Sequence, residues 1–400
     1  MASIQKRQTV SGAPAYIVKW KTPDGRHRTK GGFRTRKAAQ VYATQVAAAA
    51  LNGQAFDPKA GQVTFRAAAA GWLKGRHDLK PTTLAEHTRA LGPAAATRRS
   101  DGTTLSIDAV FGAYPINAIT REQITAWISK LTAAGKSPST VRYKYHLVRM
   151  VLAQAVVDGL LTTNPADYVK LPTEHNTTVD DPTMFLTAAQ VTALVTETPW
   201  PYSIYVHLAA WAGLRAAELC GLQVGDVESG SLRVERTVQP LGGELIYLPP
   251  KTKGSRRRVP LTDATYSLLA EYLAAHPRGK EPSAPLFPGL VTARPAVLDW
   301  AKPLRHGTFY HIYHDAVKRA GLPPALKFHA LRHTYASLCV AVGIPPLAIS
   351  RYMGHANVTT TLGIYAHLFA EDHSAAMHAL GAAQHAPANS NVVPLRPRAQ

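Results

Sequence analysis

Asn357-Val358-Thr359-Thr360-Thr361-Leu362-Gly363-Ile364-Tyr365, entered through Gly354-His355, is the stretch around which the rest of the chain falls into order. Thr359 reads as an N-cap, which predicts a helix from Thr360 to Phe369 with Leu362, Tyr365 and Leu368 at helical spacing. A tyrosine in such a helix ordinarily packs its ring on a core and turns its hydroxyl outward. Residues upstream give Tyr365 a different prospect. Arg215, Lys251, His329, Arg332 and His355 supply the cations and proton carriers that would offer this phenol an electrophile.

Lys327-Phe328-His329-Ala330-Leu331-Arg332-His333-Thr334-Tyr335 places His329 and Arg332 at i and i+3, on one helix face. His329 and His333 have the i, i+4 spacing of half a metal site. No glutamate follows His329 and no third ligand stands out, so no metal is expected. Gly213-Leu214-Arg215-Ala216-Ala217-Glu218-Leu219 follows the apolar run Leu208 to Ala212. An Arg–Glu pair three residues apart is usually a surface pair of little energetic weight. Held against a core, the Arg215 guanidinium is suited to two phosphate oxygens, with Glu218 to orient it.

Pro250 to Leu261 reads as the tip of a basic hairpin, either a solvated turn or a phosphate clamp. A lysine there could also protonate a leaving alkoxide, and Lys251 and Lys253 are both candidates. One tyrosine, two arginines, two histidines and a lysine make a metal-free phosphoryl-transfer set. The phenolic oxygen would attack phosphorus and form a phosphotyrosine. That ester retains the bond energy, so resealing needs no nucleotide. The chain has no Gly-rich Lys-Ser/Thr phosphate loop, and no cofactor is expected.

Composition narrows the partner. Net charge is +20 and the pI near 10.0 over 400 residues. Such a field attracts polyanions, and without a basic amphipathic membrane helix nucleic acid leads. The apolar runs are short and Ala-rich, and the N-terminus lacks a secretory signal, which predicts a soluble cytoplasmic protein with no membrane partner. Cys220 and Cys339 read as small buried hydrophobes; two cysteines cannot make a disulfide framework.

The chain predicts several domains, mostly α with small β-sheets. Residues 1–58, with 10 Lys/Arg against Asp24 and Asp57, alternate as strands through Tyr16, Val18 and Trp20. They turn at Pro23 to Arg26, and a helix should run from Arg36 to Leu51 behind Thr35. Lys19, Lys21, Arg26, Arg28 and Arg34 are its candidate DNA contacts, a sheet face or edge entering a groove. Residues 62–172 read as helical, with starts at Thr64, Pro81, Thr120 with Gln123, and Ser137, and an exposed loop from Gly92 to Asp108. The last helix puts Tyr143, Leu147, Met150, Val151 and Val157 on its apolar side. Its Arg142, Lys144 and Arg149 are either solvated or phosphate contacts.

Residues 173–183 read as a linker and 376–400 as a flexible tail. Between them, 184–375 should open with a Thr187–Gln190 capping box. Three strands are expected at Leu232 to Arg236, Glu244 to Leu248 and Arg256 to Leu261, with Arg256 and Arg257 toward DNA. Helices should follow Thr262 and Thr308, cover His329 to Val342 and Pro345 to Met353, and end on the Tyr365 helix.

Together Gly213 to Leu219, His329-Ala330-Leu331-Arg332-His333-Thr334, Met353-Gly354-His355 and Tyr365 resemble the signature of the tyrosine recombinases, specifically phage-type integrases. Four separated pieces stand in family order at family-like intervals, across roughly residues 180 to 375. The segment 62–172 resembles the family's helical core-binding (SAM-like) domain. Residues 1–58 are similar, more loosely, to its three-stranded, one-helix arm-type DNA-binding module, and 184–375 to its mixed α+β catalytic domain. The resemblance implies that Arg215 and Arg332 bind the scissile phosphate and His329 assists proton transfer. His355 would bond the transition state, Tyr365 would be the nucleophile, and Lys251, in its Pro-Lys-Thr setting, the acid for the 5′ hydroxyl, with Lys253 as the alternative.

It further implies a site-specific recombinase integrating or excising a phage or mobile element through a 3′-phosphotyrosine. Four protomers would act on double-stranded attachment sites through a Holliday junction, in the bacterial cytoplasm near the nucleoid. A host DNA-bending factor and an excision directionality factor are possible partners. A type IB topoisomerase uses a similar residue set but needs no arm module. A DNA-binding regulator with an inactive site is the remaining alternative, against which every catalytic position is filled.

Overall fold

Side-chain caps begin most of the long helices. Thr64, Thr120, Ser137, Thr187 and Thr262 each accept a hydrogen bond from a backbone N–H of the first turn, and Gln123 and Gln190 complete reciprocal capping boxes. Each such cap is worth about 1 kcal/mol. The computed structural model describes residues 2–9, 12–22, 25–51, 60–93, 105–173, 185–250, 253–293, 296–365, 368, 374, 377–378 and 381. The chain divides into two units, Met1–His175 and Asn176–Gln400.

The first unit opens with β1 (Ser3–Gln8), β2 (Pro14–Lys21) and β3 (His27–Phe33), an antiparallel sheet in that order, followed by α1 (Arg36–Leu51). Val18 and Trp20 are buried with Ala39, Ala43 and Val46, so alternate residues of β2 meet the helix. Lys19 and Lys21 therefore fall on the open face. Arg28 pairs with Trp20 and lies on the helix side, although exposed. Then come α2 (Phe65–Lys74), α3 (Pro81–Leu91), α4 (Arg121–Ala133) and α5 (Pro138–Val157) around Phe65, Trp72, Phe111, Trp127 and Leu152. The expected loop before residue 108 lies partly outside the described residues. Its end is ordered: Ile107 is buried and Asp108–Gly112 forms a π-helical turn, with Asp108 paired to Arg66. Val157, expected on the apolar side of α5, is exposed.

The second unit begins with α6 (Ala188–Glu197), α7 (Tyr202–Trp211) and α8 (Ala216–Gly221). Short strands β4 (Val227–Glu228), β5 (Ser231–Val234), β6 (Thr237–Leu241), β7 (Glu244–Leu248) and β8 (Arg257–Pro260) follow. They form two antiparallel sheets, β4-β5-β8 and the hairpin β6-β7, rather than a run of three strands. After α9 (Asp263–Ala275) comes a hairpin that the sequence reading lacked, β9 (Pro288–Ala293) with β10 (Ala296–Pro303); prolines at both its ends and its bulged register disguise the alternation.

The remaining helices are α10 (His306–Arg319), α11 (Ala330–Ala341), α12 (Pro346–Met353) and α13 (Val358–Tyr365). Thr308 sits inside the first turn of α10 and donates to the Arg305 carbonyl instead of capping. The main core gathers Tyr205, Leu208, Leu219, Phe287, Phe309 and Leu331, while α11, α12 and α13 share a smaller cluster of Tyr335, Cys339, Ile349, Met353 and Tyr365. Cys220 and Cys339 are buried and free. Among the described residues no helix is long and apolar enough to cross a membrane. The linker residues 174–183 and the tail beyond 381 lie outside the described residues.

Candidate active site

Two glycines bring main-chain oxygens to the arginines. Gly213 (φ +63°) follows α7, and a Cβ there would stand 2.2 Å from Cδ1 of Tyr335. Gly354 (φ +65°) caps α12, and its Cβ would stand 2.8 Å from Nη1 of Arg257. Both positions need the left-handed backbone and lack room for a side chain. The Gly213 carbonyl accepts from Arg332 Nη1 at 2.5 Å and the Gly354 carbonyl from Arg215 Nη2 at 3.2 Å. Between them, the Met353 carbonyl accepts from Arg332 Nη2 at 2.6 Å and from Arg215 Nη1 at 3.5 Å. The guanidiniums of Arg215 and Arg332 thus converge on the C-terminal end of α12, where unpaired carbonyls favour cations.

Glu218 balances part of this charge. Its carboxylate accepts from the Arg215 backbone N–H at 2.9 Å and from Arg215 Nη1 at 3.0 Å. Arg257 donates to both of its oxygens, Nη1 at 3.0 Å and Nη2 at 2.9 Å. Burial acts to raise the Glu218 pKa, but the hydrogen bonds and charge of Arg257, with Arg215, lower it overall. Arg257 is a correction to the sequence reading. Its side chain is 6% exposed and tied to Glu218 and to the Tyr352 carbonyl, so it braces the site and presents nothing to a DNA groove. Arg256, next to it, is exposed.

Burial, with Arg215 close by, pushes the Arg332 guanidinium down to about 9, still cationic at neutral pH. Three arginines around one carboxylate leave an excess of two positive charges. Such a spot favours an anion, and Arg215, 39% exposed, opens it to solvent.

The histidines differ in their partners. His355 Nδ1 hydrogen-bonds Thr361 Oγ1 at 2.8 Å, and burial, with Arg332, Arg215, Arg257 and His333 nearby, lowers it to about 4. His329 precedes α11 and is exposed; desolvation by its surroundings and the charges of Arg332 and Arg215 lower its pKa. Tyr365 is 1% exposed, and its hydroxyl lies 2.7 Å from Nδ1 of His333. Burial raises the phenol well above its ordinary value, against the opposing charge of Arg332.

His333 is the residue that the sequence reading did not place at the site. The spacing to His329 was visible, and the two rings do meet edge to face at 5.0 Å. Among the described residues no cluster of three or more His, Cys, Asp or Glu could hold a metal ion. The start of α13 also differs. Asn357, not Thr359, closes its first turn, its Oδ1 accepting from the Thr359 N–H at 3.0 Å, and the helix starts at Val358. Thr361 and Tyr365, one turn apart, then face His355 and His333 together.

Arg215, His329, Arg332, His355 and Tyr365 are therefore brought together with Glu218. Lys251 lies outside the described residues, as does the side chain of Lys253. Of the expected DNA contacts, Arg149 is paired with Asp167 at 2.9 Å. Arg142 and Lys144 are half-buried on α5, and Arg26 and Arg34 are exposed.

The chain is similar to known proteins over most of its length. Residues 184–372 match the Phage integrase family. The prophage phiRv2 integrase of Mycobacterium tuberculosis is 26% identical over 348 residues, covering 85% of each chain. The Tn1549 transposon integrase, solved in complex with a circular intermediate DNA, shares the fold at a TM-score of 0.59 and 20% identity, over 80% of this chain and 99% of that one. A lambda integrase tetramer bound to a Holliday junction gives 0.53 at 19% identity, over 92% and 95%. Residues 184–372, in which the signature residues gather around one tyrosine, thus form a tyrosine recombinase catalytic domain of the phage integrase family.

Proposed function

We propose that this recombinase cuts and rejoins double-stranded DNA at specific attachment sites, with Tyr365 forming a 3′-phosphotyrosine. The observation that carries the reading is the Met353 carbonyl shared by Arg215 and Arg332, which fixes two cationic forks beside the buried phenol. A phosphodiester seated on those forks would have its non-bridging oxygens neutralised as charge develops. His355 would hydrogen-bond the same oxygens, His329 would assist proton transfer, and Lys251, or Lys253 in its place, would protonate the departing 5′ oxygen.

Residues 1–58 and 62–172 would act as arm-type and core-type DNA-binding domains ahead of the catalytic domain at 184–375. The basic open face of the first sheet, with Lys19 and Lys21, supports that role. Relatives solved on DNA as a dimer and as a tetramer on a Holliday junction support assembly of four protomers on paired sites. Integration or excision of a phage or mobile element is the resulting activity. A host DNA-bending protein and a directionality factor would set its direction.

The test uses a duplex carrying the element's own junction, mapped by sequencing. The parent should form a protein–DNA adduct that survives denaturant, and Tyr365→Phe should bind the duplex without forming one. An adduct in the Phe variant would remove the assignment.

A further inference from the structure

We propose that His333 is a further catalytic residue, taking the phenolic proton of Tyr365 as the phenol attacks and returning it when the strand is rejoined. This deepens the recombinase reading and rests on Tyr365 being the nucleophile. The geometry carries it. Nδ1 of His333 lies 2.7 Å from the Tyr365 hydroxyl, and among the described residues no other side chain hydrogen-bonds that oxygen. The other two histidines are placed differently: Nδ1 of His355 is engaged with Thr361, and His329 touches His333 ring to ring.

The groups facing His333 are His329 just before its helix, Arg332 on that helix, Tyr365 on α13, and His355. Burial, then His329 and Arg332, lower His333 to about 4, so at neutral pH the ring is uncharged. With the phenol as the donor, as the proposed transfer requires, Nδ1 holds the lone pair and Nε2 the proton. A free-state value near 4 makes a weak base. A phosphodiester anion seated on Arg332 offsets that arginine's part of the lowering, while the larger part, from burial, remains, so the proton moves to Nδ1 only as the phenolic oxygen bonds phosphorus.

The step balances. The Tyr365 O–H proton passes to Nδ1, the phenolic oxygen bonds phosphorus, and the P–O5′ bond breaks, its oxygen taking a proton from the general acid. Rejoining runs the same transfers backwards. No oxidant, metal or nucleotide enters.

The test is single-turnover adduct formation on the mapped junction duplex, with His333→Asn and His333→Ala beside the parent. Asparagine can place an amide oxygen near the position of Nδ1 and accept the phenol hydrogen bond, but it cannot take the proton. Both variants should bind DNA and form adduct at least about 100-fold more slowly, within the usual range of general-base effects. A 5′-bridging phosphorothiolate, whose leaving sulfur needs no acid, should leave their defect in place. Asparagine restoring the rate to within about threefold of the parent would reduce His333 to positioning and overturn the proposal. Full recovery with the phosphorothiolate would move His333 to the leaving-group side and also overturn it.

Adduct in Tyr365→Phe would instead defeat the nucleophile reading, so the two failures are separable. If neither His333 variant folds, the parent labelled with 15N-histidine decides. An unprotonated Nδ1 at neutral pH supports the proposal, and a protonated one sinks it.

Discussion

Arg257 and Glu218 meet as a two-bond fork inside the second unit, Nη1 to Oε1 at 3.0 Å and Nη2 to Oε2 at 2.9 Å, with the side chains only 6% and 2% exposed. The same carboxylate holds the backbone and side chain of Arg215. A buried carboxylate losing its main partner keeps its desolvation cost. Arg257→Ala should therefore lower unfolding free energy by about 3–5 kcal/mol in denaturant melts. The adjacent exposed Arg256→Ala should leave stability within about 0.5 kcal/mol. If Arg256 meets phosphate, its loss should reduce the salt slope of DNA binding by about one unit. Equal stability of the two variants would contradict this division of roles.

Gly213 presents its carbonyl to Arg332 from a backbone that a side chain disfavours by about 1–2 kcal/mol. Gly213→Ala adds a collision with the Tyr335 ring. The variant should lose at least about 2 kcal/mol and its cleavage activity, while Gly243→Ala, in the open turn between β6 and β7, should keep its activity. Unchanged cleavage by Gly213→Ala would show that Arg332 does not depend on that carbonyl.

Acid should weaken the second unit in two steps. His333 and His355 are lowered to about 4 in the folded chain, against about 6.5 unfolded. Between those values the unfolded chain binds more protons, so stability falls as pH drops from about 6.5 towards 4. Glu218, lowered by Arg257 and Arg215 against its burial, adds a loss at still lower pH, as its own folded value is crossed. Urea midpoints against pH should show the first loss shrink in His355→Gln, by up to about one proton in slope. An unaltered slope would place the proton uptake elsewhere.

Lys251 and Lys253 stand two residues apart in the sequence, and the proposed reaction needs a single acid for the 5′ oxygen. Lys251→Ala should slow cleavage by about 10²–10⁴-fold and recover on a 5′-bridging phosphorothiolate. Lys253→Ala should do little. The reverse ranking exchanges their roles. A plasmid without a junction sequence should stay supercoiled with the parent; efficient relaxation would favour a nicking-closing enzyme.

Much of the site was legible because its chemistry is local in sequence. Gly213 to Leu219 shows Arg215 and Glu218 one helical turn apart, and His329 to Thr334 shows Arg332 on a helix that α7 and α12 enclose. Capping residues such as Thr120 with Gln123 mark helix starts by a rule confined to four residues. Arg257 was misread because pairing and burial are tertiary facts. Three consecutive arginines look alike until β8 turns the middle one inward to Glu218 and leaves Arg256 and Arg258 exposed. His333 escaped for a similar reason: only the docking of α13 gives its ring a phenol. The β9–β10 hairpin was hidden by its bulges, and Thr359 yielded the cap to Asn357, whose side chain reaches the same first turn.

The central claim is that one phenol, that of Tyr365, carries the DNA strand. Adduct formed on the mapped junction duplex can be trimmed with nuclease and protease and its peptides weighed by tandem mass spectrometry. A nucleoside 3′-phosphate on the Tyr365 hydroxyl is the predicted product. The same mass on Tyr352, Tyr335 or any serine would contradict it.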